Sequence, residues 1–302
     1  MAYRLDASGS PPDEIRVAAR DQLEVAMAGL REAADRRDPG EEIHTARKSL
    51  RRFRATLRLI RPHLGAHDYR RAARPARALG RLLSSPRDAD VMARTVRGLI
   101  DDVRGPSPDP HTEAVAHALE ERRRSEWAAL SADTWLATGA PASLVAVEEQ
   151  VDGWALDGLD WRSLLDGVAR SYRRAREASS VAQRTGSSDA LHEARKRAKD
   201  LRYQLDLLRA VWEPMMAGQE IGARTLTESI GTLRDLEGLR SILAAGDVDP
   251  RGSAALADEL DDRITALHER VTLVASLLYA EEPDAVARRM RAYAPRTSVG
   301  AT

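Results

Sequence analysis

The chain has no cysteine. Disulfides and thiolate chemistry are therefore excluded, and nothing points to an oxidising compartment. Aromatic side chains are scarce, with one phenylalanine in 302 residues, and few windows alternate β-branched with polar residues as strands do. No stretch reaches the apolar length of a membrane span. The N-terminal MAYRLDASGSPPDE lacks the apolar core of a signal peptide. The expected location is the cytoplasm, with no membrane partner. Net charge is formally zero, 47 basic against 47 acidic residues, so the overall balance alone proposes no polyanionic partner.

Alanine, leucine, arginine and glutamate are abundant, a mixture that favours helix. The expected fold class is all-α. Turn residues divide the chain into helices over about 12–37, 39–61, 67–84, 88–104, 110–130, 161–184, 188–212, 215–232, 234–245, 251–279 and 283–293. Asp38-Pro39-Gly40-Glu41 reads as a helix start with Asp38 as N-cap. Residues 131–160 carry turn residues and tryptophans, Trp135 and Trp154 with Trp161 just beyond, and form the expected junction. The expected organisation is a disordered tail over 1–11, one half over 12–150, a second over 151–295, and a disordered tail over 296–302.

Charge is unevenly placed. From His44 to Arg97 there are 15 lysines and arginines against three acids, Asp68, Asp88 and Asp90, a net of +12 that the remainder must balance. The chain also repeats itself. IHTARKSLRRFRATLRLI (43–60) lies over LHEARKRAKDLRYQLDLL (191–208), placing His44 on His192, Arg47 on Arg195, Lys48 on Lys196, Arg51 on Lys199 and Arg54 on Arg202, an offset of 148. LSSPRDADVM (83–92) lies over IGTLRDLEGL (230–239) at an offset of 147, aligning Arg87-Asp88 with Arg234-Asp235. Two motifs in the same order at nearly one offset indicate a duplicated helical unit, for which pseudo-two-fold symmetry is the expectation.

On a helical wheel His44, Arg47, Lys48, Arg51, Arg54 and Arg58 fall within an arc of about 120°. Ile43, Ala46, Leu50, Phe53, Leu57, Ile60 and Leu64 fill the adjoining arc. His192, Arg195, Lys196, Lys199 and Arg202 repeat the pattern, interrupted by Asp206. Like charges at this spacing destabilise a helix by roughly 0.2–0.5 kcal/mol per exposed pair, and no acid lies between His44 and Arg61. A bound polyanion would supply the missing charge, and arginine's planar fork suits phosphate. Both histidines sit in early turns beside cations, which favours their neutral form until an anion binds. The competing reading is a solvated face paired with acids of neighbouring helices. Asp88 and Asp235 read as caps or buried ion-pair partners at helix restarts. Arg20, Arg74, Arg77, Arg81, Arg87, Arg174 and Arg234 are possible supporting contacts. The tryptophans read as core or junction residues. No carboxylate cluster or phosphate-cradling glycine loop accompanies the basic stripes. The expectation is therefore a binding protein without catalytic residues, metal or cofactor.

HEARKRAKDLRY (192–203) and HTARKSLRRFR (44–54), each followed by an Arg-Asp pair, resemble the CHAD family, the conserved histidine α-helical domain. That resemblance implies two helical bundles of about four core helices each, related by a pseudo-dyad, with a basic groove or cavity between them that binds inorganic polyphosphate. The expected function is polyphosphate binding, with association with polyphosphate granules. Non-sequence-specific nucleic-acid binding through phosphate contacts is the alternative. A structural adaptor that merely pairs its own charge patches is the remaining one.

Overall fold

A computed structural model describes residues 3–34, 36, 39–103, 109–133 and 138–295. Among these residues all regular structure is helical: α1 (Pro11–Ala34), α2 (Gly40–Leu59), α3 (Arg61–Leu64), α4 (Ala66–Leu82), α5 (Ser84–Val103), α6 (Pro110–Ser131), α7 (Gly139–Val151), α8 (Trp161–Thr185), α9 (Ser188–Leu207), α10 (Glu213–Ala245), α11 (Pro250–Leu278) and α12 (Pro283–Ala292), with a 3-10 turn at Arg209–Val211. No helix of the described residues is long and apolar enough to cross a membrane. Local chemistry sets many of the boundaries. Asp109 and Asp249 each accept backbone N–H groups at the start of α6 and α11, with proline next in the chain. Ser187 caps α9, and Gly186 ends α8 at φ 60°, a left-handed conformation that suits glycine.

Neighbouring helices pair in a recurring order. α1 packs on α2 and α7; α8 packs on α9 and α12. α5 lies on α6, and α10 on α11. These units are not separate bodies, because α5 and α6 also pack on α10 and α11, while α2 crosses α9. The apolar stripe read from the sequence of α2 faces inward: Ile43, Phe53 and Leu57 are fully buried. The stripe of α9 does the same through Ala198, Leu201 and Leu205. Both halves contribute to one continuous core.

Several expectations are corrected. Residues 3–10 are not a disordered tail. Tyr3 and Leu5 are buried. The Tyr3 hydroxyl donates to the Arg52 carbonyl (2.9 Å) and shares a hydrogen bond with Thr56 Oγ1 (2.8 Å), and the Leu5 N–H donates to the Leu207 carbonyl (2.9 Å). The segment thus straps the crossing of α2 and α9. The junction contains an additional helix, α7, whose short, mostly apolar sequence shows no long amphipathic repeat. The expected break near residue 233 does not exist. α10 runs unbroken for 33 residues, because Ile230, Leu233 and Leu236 continue one buried stripe through it. Asp235 is therefore no cap, and Asp88 lies in the second turn of α5. Trp154 and Trp161 are buried as expected, but Trp212 is 52% exposed and stacks on Tyr293. Asp38 as a cap, the helix end at Arg37, Trp135, and the 296–302 tail lie outside the described residues.

Candidate anion-binding site

α2 and α9 cross where the Gln204 side-chain amide donates to the Ala55 carbonyl (3.1 Å). Two ion pairs flank the crossing: Arg52 with Asp206 (3.1 Å) and Arg58 with Asp200 (2.5 Å). They are reciprocal in the repeat. Arg52 and Asp200 occupy one repeated position, and Arg58 and Asp206 the other. At both positions the first copy supplies the cation and the second the anion. Asp206, which interrupts the basic stripe in sequence, is thus spent on Arg52, with Arg4 3.9 Å away. Arg58, expected as a ligand contact, is neutralised by Asp200 and withdrawn from that set.

On the N-terminal side of the crossing the remaining cations converge. Arg47 and Arg195, at one repeated position, are each pinned to a backbone carbonyl, Arg47 to Leu83 and Arg195 to Thr227 (Nε, 3.3 Å). Burial, then Arg51, pulls the Arg47 guanidinium down to about 10, with Asp88 opposing. Burial likewise lowers Arg195, and Asp235 is the counter-charge that resists most. Each copy's Arg-Asp motif therefore supplies a counter-charge to that copy's carbonyl-bound arginine, the second of the two roles read for Asp88 and Asp235 from the sequence.

Arg51 and Lys199 share the other repeated position. Among the described residues neither has an ion-pairing carboxylate. Arg51 depresses Arg47, Arg195 and Lys199 together. The Lys199 ammonium is pushed down to about 6, first by burial and then by Arg51, Arg195, Arg202 and Arg47. Four basic side chains from two helices thus act on one another around a single locus. A cleft of about 460 Å³ adjoins it, lined in part by Arg195, Arg234, Arg122, Asp88 and Asp235.

The histidines lie at the edge of this cluster. The Arg234 guanidinium donates to His192 Nδ1 (2.6 Å). Arginine has no acceptor, so this bond requires neutral His192 with its proton on Nε2. Burial lowers the pKa of both histidines most; Arg87 and Arg51 follow at His44, and Arg234 and Lys196 at His192. The direction matches the sequence expectation, with burial the largest single cause.

Other candidates are dispersed or already paired. Arg202 donates to the buried Glu220 (3.0 Å), which Arg224 also holds. Arg20 pairs with Asp152, and Arg87 with Asp90. Lys196 reaches Glu193 (3.5 Å), and Lys48 is exposed near Arg52 and Arg202. Arg54 is half-buried with an unpartnered Nε and is drawn down to about 10, by burial and then Arg58. Arg174 is exposed on α8. Arg74, Arg77 and Arg81 are exposed on α4, outside the central cluster. Sequence reasoning did not identify Glu220 or Arg224, whose charges only the packing of α9 on α10 brings to this face.

The fold and this geometry define an all-helical protein with a half-buried, mutually repelling cluster of basic side chains beside a helix crossing. The family model for the CHAD domain matches residues 17–244, and the chain belongs to that family. The crystal structure of the CHAD domain from the plant Ricinus communis superposes with a TM-score of 0.56 at 17% identity, covering 97% of this chain and 95% of that one. This likeness establishes the shared fold. Two uncharacterised proteins of Mycobacterium tuberculosis, MT2285 (strain CDC 1551 / Oshkosh) and Rv2226 (strain H37Rv), are each 27% identical over 212 residues. The match spans 64% of this chain but 39% of each relative's length.

Proposed function

We propose that the chain binds inorganic polyphosphate at the convergence of α2 and α9, without turning it over. The observation that carries this reading is the cluster of Arg47, Arg51, Arg195 and Lys199. Two repeated positions deliver four basic side chains to one place, and among the described residues two of the four have no ion-pairing carboxylate. Folding like charges together is unfavourable; a chain of phosphates reverses the sign of that interaction. Arg47 and Arg195 are held by carbonyls and need little ordering on binding, which favours affinity. Arg51 is the cation that the ligand neutralises, and Lys199 is the amine that takes up a proton as the ligand binds. Their repeat equivalence supports a pseudo-two-fold arrangement around one ligand. The cytoplasm, and polyphosphate granules within it, is the proposed setting.

The test is a titration with long-chain polyphosphate at near-physiological salt, with duplex DNA of equal total charge as competitor. An Arg51→Gln/Lys199→Gln variant, shown to be folded, is measured alongside. Tight binding that DNA does not displace and the variant loses supports the reading. Ready displacement by DNA moves the site to nucleic acid; an unaffected variant moves the ligand away from the crossing. Phosphorus NMR of the incubated polymer should show unchanged chain length, and shortening would refute binding without turnover.

A further inference from the structure

The exposed face of α4 carries charge that the central cluster does not use. Arg70, Arg74, Arg77 and Arg81 are all exposed and fall within an arc of about 60° on the helix, spanning about 16 Å along its axis. The buried face of the same helix, with Tyr69, Ala72, Ala76 and Leu79, points elsewhere. No acid follows Asp68 on α4, and among the described residues Arg70, Arg74 and Arg81 make no ion pair. A solvated face that served solubility alone would gain from interspersed glutamates, which form stabilising pairs at this spacing. The stripe also escapes the repeat. At the 147-residue offset its four positions hold Ala217, Ile221, Arg224 and Glu228, so three of the four cations belong to the first half alone.

The C-terminal end of α4, where the stripe finishes, abuts the central cluster. Arg47 binds the Leu83 carbonyl at the C-terminal end of α4. Arg54 reaches back toward α4, its Nη1 3.7 Å from where a side chain at Gly80 would begin, and Arg77 helps to depress its pKa. Arg81 is thus the inner end of a cationic track whose outer end is Arg70. We propose that this face of α4 is an extension site for long polyphosphate: a chain seated at the crossing leaves it past Arg81 and runs outward to Arg70. The inference rests on the polyphosphate reading and adds chain-length selectivity to it. A single-stranded nucleic acid fits less well. Tyr69, the aromatic residue on α4, is buried and covered by the guanidinium groups of Arg61 (5.0 Å) and Arg77 (5.7 Å), which leaves no stacking surface beside the track.

The extension makes affinity depend on polymer length and on one half of the molecule. Arg70→Gln/Arg74→Gln/Arg81→Gln keeps good helix formers at exposed positions, and its fold is checked by circular dichroism and thermal melting. Wild type and variant are titrated with tripolyphosphate, with long-chain polyphosphate and with duplex DNA, at several salt concentrations. Long-chain affinity should fall about tenfold with a shallower salt dependence, while tripolyphosphate affinity stays unchanged. Unchanged long-chain affinity overturns the inference, as does an equal loss for both polymers. Loss of DNA binding alone also overturns it, by assigning the stripe to nucleic acid. Failure of the polyphosphate reading itself has a separate signature, in which wild type binds neither polymer.

Discussion

Lys199 shows most clearly how one residue can oppose stability and serve binding. Its amine lies among Arg51, Arg195, Arg202 and Arg47 and is pushed down to about 6. The unfolded chain therefore holds this proton over a pH range in which the folded one does not. Stability should rise with pH from about 6 to the ordinary lysine range. Replacing the amine with an apolar side chain of similar length removes the conflict. Lys199→Met should raise the melting temperature of the free protein by about 2–4 °C and weaken polyphosphate binding at least severalfold. A lower melting temperature with unchanged affinity would assign Lys199 to the fold instead. Polyphosphate should draw protons onto Lys199, and onto His44 and His192, whose pKa values are also depressed. Affinity should thus weaken as pH rises above about 6. Calorimetry in buffers of different ionisation enthalpy should show proton uptake, and buffer-independent heats would refute it.

At the scale of elements, two contacts decide whether the cationic side chains meet. The first is the crossing of α2 and α9, fixed by the reciprocal pairs Arg52–Asp206 and Arg58–Asp200. Asp200 is nearly buried; burial raises its carboxyl pKa and Arg58 works against that rise. Asp200→Ala should cost about 2 kcal/mol by stranding Arg58 at the interface. A further Arg58→Met change should recover much of the loss in chemical denaturation, whereas additive losses would show that the two do not act as a pair. The second contact is α10 against α9. A side chain at Gly231 would begin 2.6 Å from Arg195 Nη2. Because the obstructing atom ends a flexible side chain, Gly231→Ala should displace the guanidinium rather than the helices. Polyphosphate affinity should fall severalfold with little change in melting temperature, and unchanged affinity would remove Arg195 from the site.

The whole molecule is bound together more tightly than a duplicated sequence suggests. α5 and α6 pack on α10 and α11, the His111 ring meets Asp249 between the starts of α6 and α11 (3.2 Å), and Trp154 lies against Phe53 of α2 (6.5 Å between ring centroids). One core runs through both halves. Calorimetry should therefore show a single unfolding transition with equal calorimetric and van't Hoff enthalpies, and two resolved transitions would show that the halves unfold independently.

The sequence by itself determined the helical class, most element boundaries, the repeat and the identity of its cationic residues. These follow from local chemistry: propensity, capping, proline and glycine punctuation, and the 3.6-residue period of α2 and α9. Only the tertiary structure decided which of those basic side chains lack an ion-pair partner among the described residues. Arg58, Arg202, Arg20 and Arg87 belong to the same basic population as Arg51 and Lys199, yet Asp200, Glu220, Asp152 and Asp90 neutralise them. Three of those four acids lie 18 or more residues away in the chain, so no helical wheel could pair them. The packing of residues 3–10 and the unbroken run of α10 were hidden for the same reason. Both depend on apolar burial against distant helices, a stabilisation that local sequence does not encode.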